Sequence, residues 1–234
     1  LVVSYAVSRI MKIDHDIATL VGVGSSICGG SAIAAAAPVI KASDEDIAQS
    51  ISVIFLFNVI AAFLFPTLGA ILGFNDMGFG MWAGTAINDT SSVVAAGQTW
   101  ASASGSDTAL NYATIVKLTR TLAIIPICLG LAYLTSKRKA TTSEVKISSI
   151  FPMFIIYFLG ASIINTFAGS HFDFFQFLPA IGKFMIAMAM AAIGLNTNLV
   201  KLIKTGGKPI LLGLICWFCI AVVSLAMQHL LNIW

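Results

Sequence analysis

Of the ten acidic residues in the chain, Asp89 alone lies deep inside an apolar stretch, within the string Asn88-Asp89-Thr90-Ser91-Ser92. A carboxylate at bilayer depth is costly unless it is paired or hydrated, so its presence points to proton or ion coupling, or to a cap. The string also reads as a helix start, with Asx and hydroxyl side chains ready to accept from free N–H groups ahead of Val93-Val94-Ala95-Ala96. A helix that starts inside a span is a broken helix, tolerated only where protein or a wet cavity covers the loosened backbone. Gly22-Val23-Gly24-Ser25-Ser26, followed by small residues up to Pro38, reads the same way: glycines loosen the chain, serines cap, and a helix begins. Two such N-termini would each offer free N–H groups and about half a positive charge, which is the chemistry of anion binding. The alternative is that these small residues let helices pack closely, as the spacing of Gly80 and Gly84 also suggests, but packing alone would not require Asp89.

Lys117 and Arg120 lie three apart, hence on one helical face, about one turn inside the outer end of an apolar span. They either attract an anion or snorkel to the headgroups. Lys183, placed alone, is expected to snorkel, and the mid-span amides Asn58 and Asn165 to bridge helices. His15, His171 and His229 fall in loops or near span ends without an evident partner, so histidine-based metal or nucleophile chemistry has no support. Cys28, Cys128, Cys216 and Cys219 sit inside apolar segments and read as small buried hydrophobes rather than disulfides or zinc ligands.

The elements that must hold these residues are membrane helices. Hydrophobic residues make up 58% of the 234 positions and charged residues 10%, against roughly a quarter charged in soluble domains. The expected fold is all-α: one polytopic transmembrane domain over residues 1–234, with broken helices. Seven crossings are expected, at 17–40, 48–72, 79–98, 113–135, 149–168, 177–196 and 209–231. Leu1 to Ser8 reads as the tail of a further apolar segment, not as a signal peptide, which predicts a longer chain upstream. If every segment crosses, Arg9, Lys12, Lys137, Arg138, Lys139, Lys146, Lys201, Lys204 and Lys208 share one face and Lys41 alone lies opposite. The shared face is then cytoplasmic and Trp234 external.

The strings GVGSSICGGSAIAAAAPVIKA, GTAINDTSSVVAAG, VKLTR and AMAMAAIGLNTNL together resemble the YeiH (UPF0324) family of bacterial inner-membrane proteins, also named a sulfate exporter family. The resemblance covers essentially the whole chain. It implies a distant likeness to the bile acid and arsenite transporter superfamily, hence inverted repeats with broken helices crossing at the substrate site. Carried over, the substrate-binding residues are the serines and glycines from Gly24 to Gly30, namely Gly24, Ser25, Ser26, Gly29 and Gly30, then Asp89 through Ser92 with Asn88 beside them, and Lys117 with Arg120. Many relatives have His before the acid where this chain has Asn88. The charge-based topology runs 17–40 and 79–98 in one direction, so either the inverted partner lies upstream or one of the two segments re-enters.

The function that follows is secondary transport of a small anion across the bacterial inner membrane, with sulfate export implied by the resemblance and a proton- or sodium-coupled organic anion as the alternative. No nucleotide motif is present, so ATP is not the driver. An intramembrane protease would need a second buried Asp or an in-span His, and neither appears. A scaffold without a pathway is the third reading, which lack of a polar site at Asp89 would favour. The expected partners are the anion and the lipid bilayer, with a homo-oligomer left open; no nucleic acid, cofactor or metal is expected.

Overall fold

The computed structural model describes residues 1–138 and 207–233, with isolated helical positions between 157 and 188. The expected crossings at 149–168 and 177–196, and Asn165, His171, Lys183, Lys139, Lys146, Lys201 and Lys204, lie outside the described residues. What is described is helical, with no strand: α1 Val2–Met11, α2 His15–Ser26, α3 Gly30–Ile40, α4 Asp44–Ile71, α5 Asp76–Ala86, α6 Thr90–Ser104, α7 Thr108–Thr121, α8 Ile124–Arg138 and α9 Gly207–Leu230. The chain is an all-α polytopic membrane protein, and both segments marked as broken are broken.

Local chemistry sets the boundaries. Ser43 caps α4, accepting from Asp46 N at 3.2 Å while its hydroxyl donates to Asp46 Oδ2 at 2.7 Å, and Asp44, Glu45 and Asp46 favour the helix's positive end. Asn75 caps α5 by accepting from Gly78 N at 2.7 Å. Three stretches are long and apolar enough to cross a bilayer: α4, α7 continued into α8 (Thr108–Thr135), and α9. By contrast α2, α3, α5 and α6 have 12, 11, 11 and 15 residues. At about 1.5 Å per residue none of them reaches across a core of about 30 Å.

Nor do the short helices run end to end. Trp100, near the far end of α6, donates from Nε1 to Asp76 at the start of α5 (2.8 Å), and its ring stacks on Phe79 at 4.1 Å. Two collinear helices would hold those residues about 36 Å apart. α5 instead runs parallel to α7, with Gly80 against Ala109 and Tyr112 and Gly84 against Ala113 and Val116, and α6 returns beside them with Gly97 against Leu110. α5 and α6 are thus a hairpin that enters and leaves by one face.

α2 and α3 form a second hairpin at the opposite face. A Cβ on Gly24 would meet Ile33 of α3 at 2.9 Å and Ile54 of α4 at 3.1 Å. Both helices share an apolar core with Ile54 in the first half of α4, Ile124 and Cys128 of α8, and Leu212 and Cys216 in the first half of α9. The other hairpin packs with Phe57, Phe65 and Trp217 in a separate core. The segments 17–40 and 79–98, expected to cross, therefore both re-enter. Each contains enough apolar residues to mimic a span, but its polar break turns the chain back. Crossings removed in a pair leave parity unchanged elsewhere, and only the two loops between them, on either side of α4, change side. Lys41 accordingly joins Arg9, Lys12, Lys208 and the end of α8 on one face.

Candidate functional site

The tips of the two hairpins meet. Gly29, which precedes α3, has φ 71°, a left-handed conformation that favours glycine, and a Cβ there would lie 3.4 Å from Asn58 Nδ2 and 3.5 Å from Asp89 Cβ. Asp89 caps α6: its carboxylate accepts from Ser91 N at 3.0 Å and also from the Ser91 hydroxyl. Two helix N-termini, α3 without a side-chain cap and α6 with one, thus stand side by side. The expectation placed the first N-terminus near Ser25. It lies at Gly30, because Ser25 and Ser26 close α2; Ser26 Oγ donates back to Gly22 O at 2.6 Å instead of capping forward.

Asn58, on the unbroken α4, holds the second tip. Its Oδ1 accepts from Asn88 N at 3.1 Å and Asp89 N at 3.2 Å, two donors that the break would otherwise strand. This is the helix-bridging role expected of it.

Each break also strands carbonyls, and α7 supplies what they lack. Lys117, 0% exposed, donates from Nζ to Ile27 O at 2.6 Å and Ile87 O at 3.1 Å. Arg120 donates to Ser26 O at 3.0 Å, to Ser25 O at 2.6 Å, to Thr85 O, and to Asn88 Oδ1 at 3.2 Å. The two cations therefore close the C-termini of α2 and α5 together. Snorkelling, one of the two expectations for them, is corrected: a side chain that reached for headgroups would leave five buried carbonyls unpaired.

The tips carry an imbalance of charge. By the usual half-charge at each end, two helix N-termini and two C-termini nearly cancel. At their formal charges Lys117, Arg120 and Asp89 then sum to one net positive charge, and no described basic side chain forms an ion pair with Asp89. Three buried polar atoms of the same strings, Ser25 Oγ, Asn88 Nδ2 and Ser92 Oγ, have no hydrogen-bond partner among the described residues. An orphaned group of this kind costs about 1–3 kcal/mol, so three in one locality mark a place built for something polar.

The sequence-named residues are thus gathered with two exceptions of role. Gly24 sits within α2, where Ile33 and Ile54 leave no room for a Cβ, so it serves packing. Ser25 and Ser26 contribute carbonyls to Arg120. Gly30, Thr90, Ser91 and Ser92 form the first turns of the two facing helices. Asn58 was seen only as a bridge, and nothing in its surroundings in sequence links it to Asn88. A cavity of about 380 Å³ lies beside the tips, lined by Ser25, Ser26 and Thr85 but also by Met81, Cys216, Ile220, Val223, Met227 and Leu231. Its apolar walls suit a small anion poorly compared with the tips.

No group of three or more metal-ligating side chains occurs among the described residues. A family profile described as "Conserved hypothetical protein 698" matches residues 1–213. The chain is similar to a UPF0324 membrane protein of Streptococcus mutans, 57% identical over 242 residues, covering all of this chain and 71% of the relative. One from Streptococcus agalactiae is 54% identical, covering all of this chain and 70% of its own length. Another from Fusobacterium nucleatum is 53% identical, covering all of this chain and 72% of its own length. No solved structure matches.

Proposed function

Since the chain belongs to the UPF0324 family of membrane proteins, we propose that it is a secondary transporter that carries a small anion across the bacterial inner membrane, which it spans several times. The observation that supports this reading most is the single net positive charge at the joined tips, set beside the orphaned donors Asn88 Nδ2 and Ser92 Oγ. A monovalent anion balances the site while Asp89 is ionised. Protonation of Asp89 raises the balance to two, which a divalent anion such as sulfate neutralises. Sulfate then moves with a proton, and Asp89 is the group that couples them.

On this reading the protein is not an enzyme. Asp89 is the one carboxylate at the tips among the described residues, where an aspartyl protease would need a second. The test is flux of radiolabelled sulfate and of monovalent anions into proteoliposomes holding the full-length protein, with and without a pH gradient. Protein-dependent sulfate flux should rise when protons are supplied on the sulfate side. Equal flux in protein-free liposomes for every anion tried would overturn the proposal.

A further inference from the structure

Lys117 is used in an unusual way for a buried ammonium. It is fully enclosed, forms no ion pair with a described carboxylate, and is held by carbonyl oxygens from the ends of two different broken helices, Ile27 O at 2.6 Å and Ile87 O at 3.1 Å. Converging carbonyls at interrupted helix C-termini, each bearing a partial negative charge, are the ligand set of an alkali cation. We infer that the joined tips contain a monovalent-cation site occupied by the chain's own ammonium.

Three features carry this. The oxygens come from separate hairpins, so whatever sits between them ties the hairpins together. Arg120 satisfies the neighbouring carbonyls of Ser25, Ser26 and Thr85, which leaves the Ile27 and Ile87 oxygens to a single small charge. Lys117 reaches them from α7, packed against α5 through Gly80 and Gly84, so the tether is rigid. A tethered cation is present at any salt composition. The tips therefore stay joined without free sodium or potassium, and removal of the ammonium restores the need for one.

The test uses the full-length protein in detergent and reads its thermal unfolding midpoint in sodium, potassium, methylammonium or choline chloride at equal ionic strength. Wild type and Lys117→Gln, whose amide N–H groups still serve carbonyls, should unfold at one temperature in all four salts. Lys117→Ala should unfold several degrees lower in choline, and recover saturably with sodium, potassium or methylammonium, which fit where choline does not. A Lys117→Ala midpoint that ignores all three small cations would overturn the inference. So would a wild-type response as large as the variant's, or a Lys117→Ala protein that folds in none of the salts while Lys117→Gln folds. The assay follows no transported anion, so its failure and that of the transport reading are separate results.

Discussion

Asp89 performs two jobs that substitution can separate. As an N-cap it accepts from Ser91 N, a bond worth about 1 kcal/mol; as a carboxylate it supplies the negative charge in the balance at the tips. Asp89→Asn keeps a capping oxygen and removes the charge. We expect it to fold and to lose the dependence of anion flux on a pH gradient, measured in proteoliposomes. Asp89→Ala should lose that dependence and also about 1 kcal/mol of stability. If Asn transports with unaltered pH dependence and Ala does not, Asp89 is a cap only. At this scale the second tip was plain in the sequence, because Asp followed by hydroxyls ahead of an apolar run has one common meaning. The first was misplaced. Ser25 and Ser26 have the composition of a cap, yet serine bonds equally well backward to the preceding turn, and among six glycine and serine residues between Gly22 and Gly30 only the fold singles out Gly29 as the one with positive φ.

At the scale of elements, the hairpins were hidden by length. A run of 24 residues, such as 17–40, is composed like one crossing, and two short helices folded back on each other use the same residues. Contacts that decide the matter, Trp100 with Asp76 and Gly24 with Ile33, join positions that a collinear helix keeps apart. Accessibility should report it directly. Single cysteines placed at Met77, before the tip, and at Ser106, after it, are both expected to react with a membrane-impermeant thiol reagent from the external side. One at Lys41 should react only from the cytoplasmic side, with the other loop cations. Labelling of positions 77 and 106 from opposite sides would restore a crossing. The close pairing of α5 with α7 is tested by Gly84→Ala, whose Cβ would lie 2.7 Å from the Ala113 carbonyl oxygen. An overpacked backbone contact of this kind should lower stability by about 1–3 kcal/mol in a denaturation measurement.

Across the whole molecule, Arg120 is the point where the two halves meet, with bonds to Ser25 and Ser26 of one hairpin and to Thr85 and Asn88 of the other. Arg120→Met keeps the apolar stem and removes every one of these donors. The expected loss is about 3 kcal/mol or more, since several buried carbonyls are stranded at once. A thermal midpoint close to that of wild type would show that the halves are held elsewhere. The charge pattern made the overall orientation legible even though two crossings were miscounted, because paired miscounts preserve the side of every loop outside the pair. The meeting of Lys117 and Arg120 with the carbonyls was not legible, for a sequence shows which side chains can donate but not which acceptors a break will leave open.

The same arrangement bears on how the chain is put into the membrane. α7 and α8 must be threaded into lipid as one span while carrying Lys117 and Arg120, a burden of about 2.5–3.5 kcal/mol for each cation near mid-depth. Its relief comes from carbonyls that belong to the two hairpins, and those hairpins, with polar tips and helices too short to span, have no standing in lipid until long helices wall them in. Neither partner is a finished insertion substrate. Of the three described spans, α4, which carries Asn58 and no charged residue beyond its first turn, is the one that can be released into the bilayer without waiting for the others. We expect the hairpins and α7 to enter together, with part of the chain held at the translocon until the residues that complete the tips have been made.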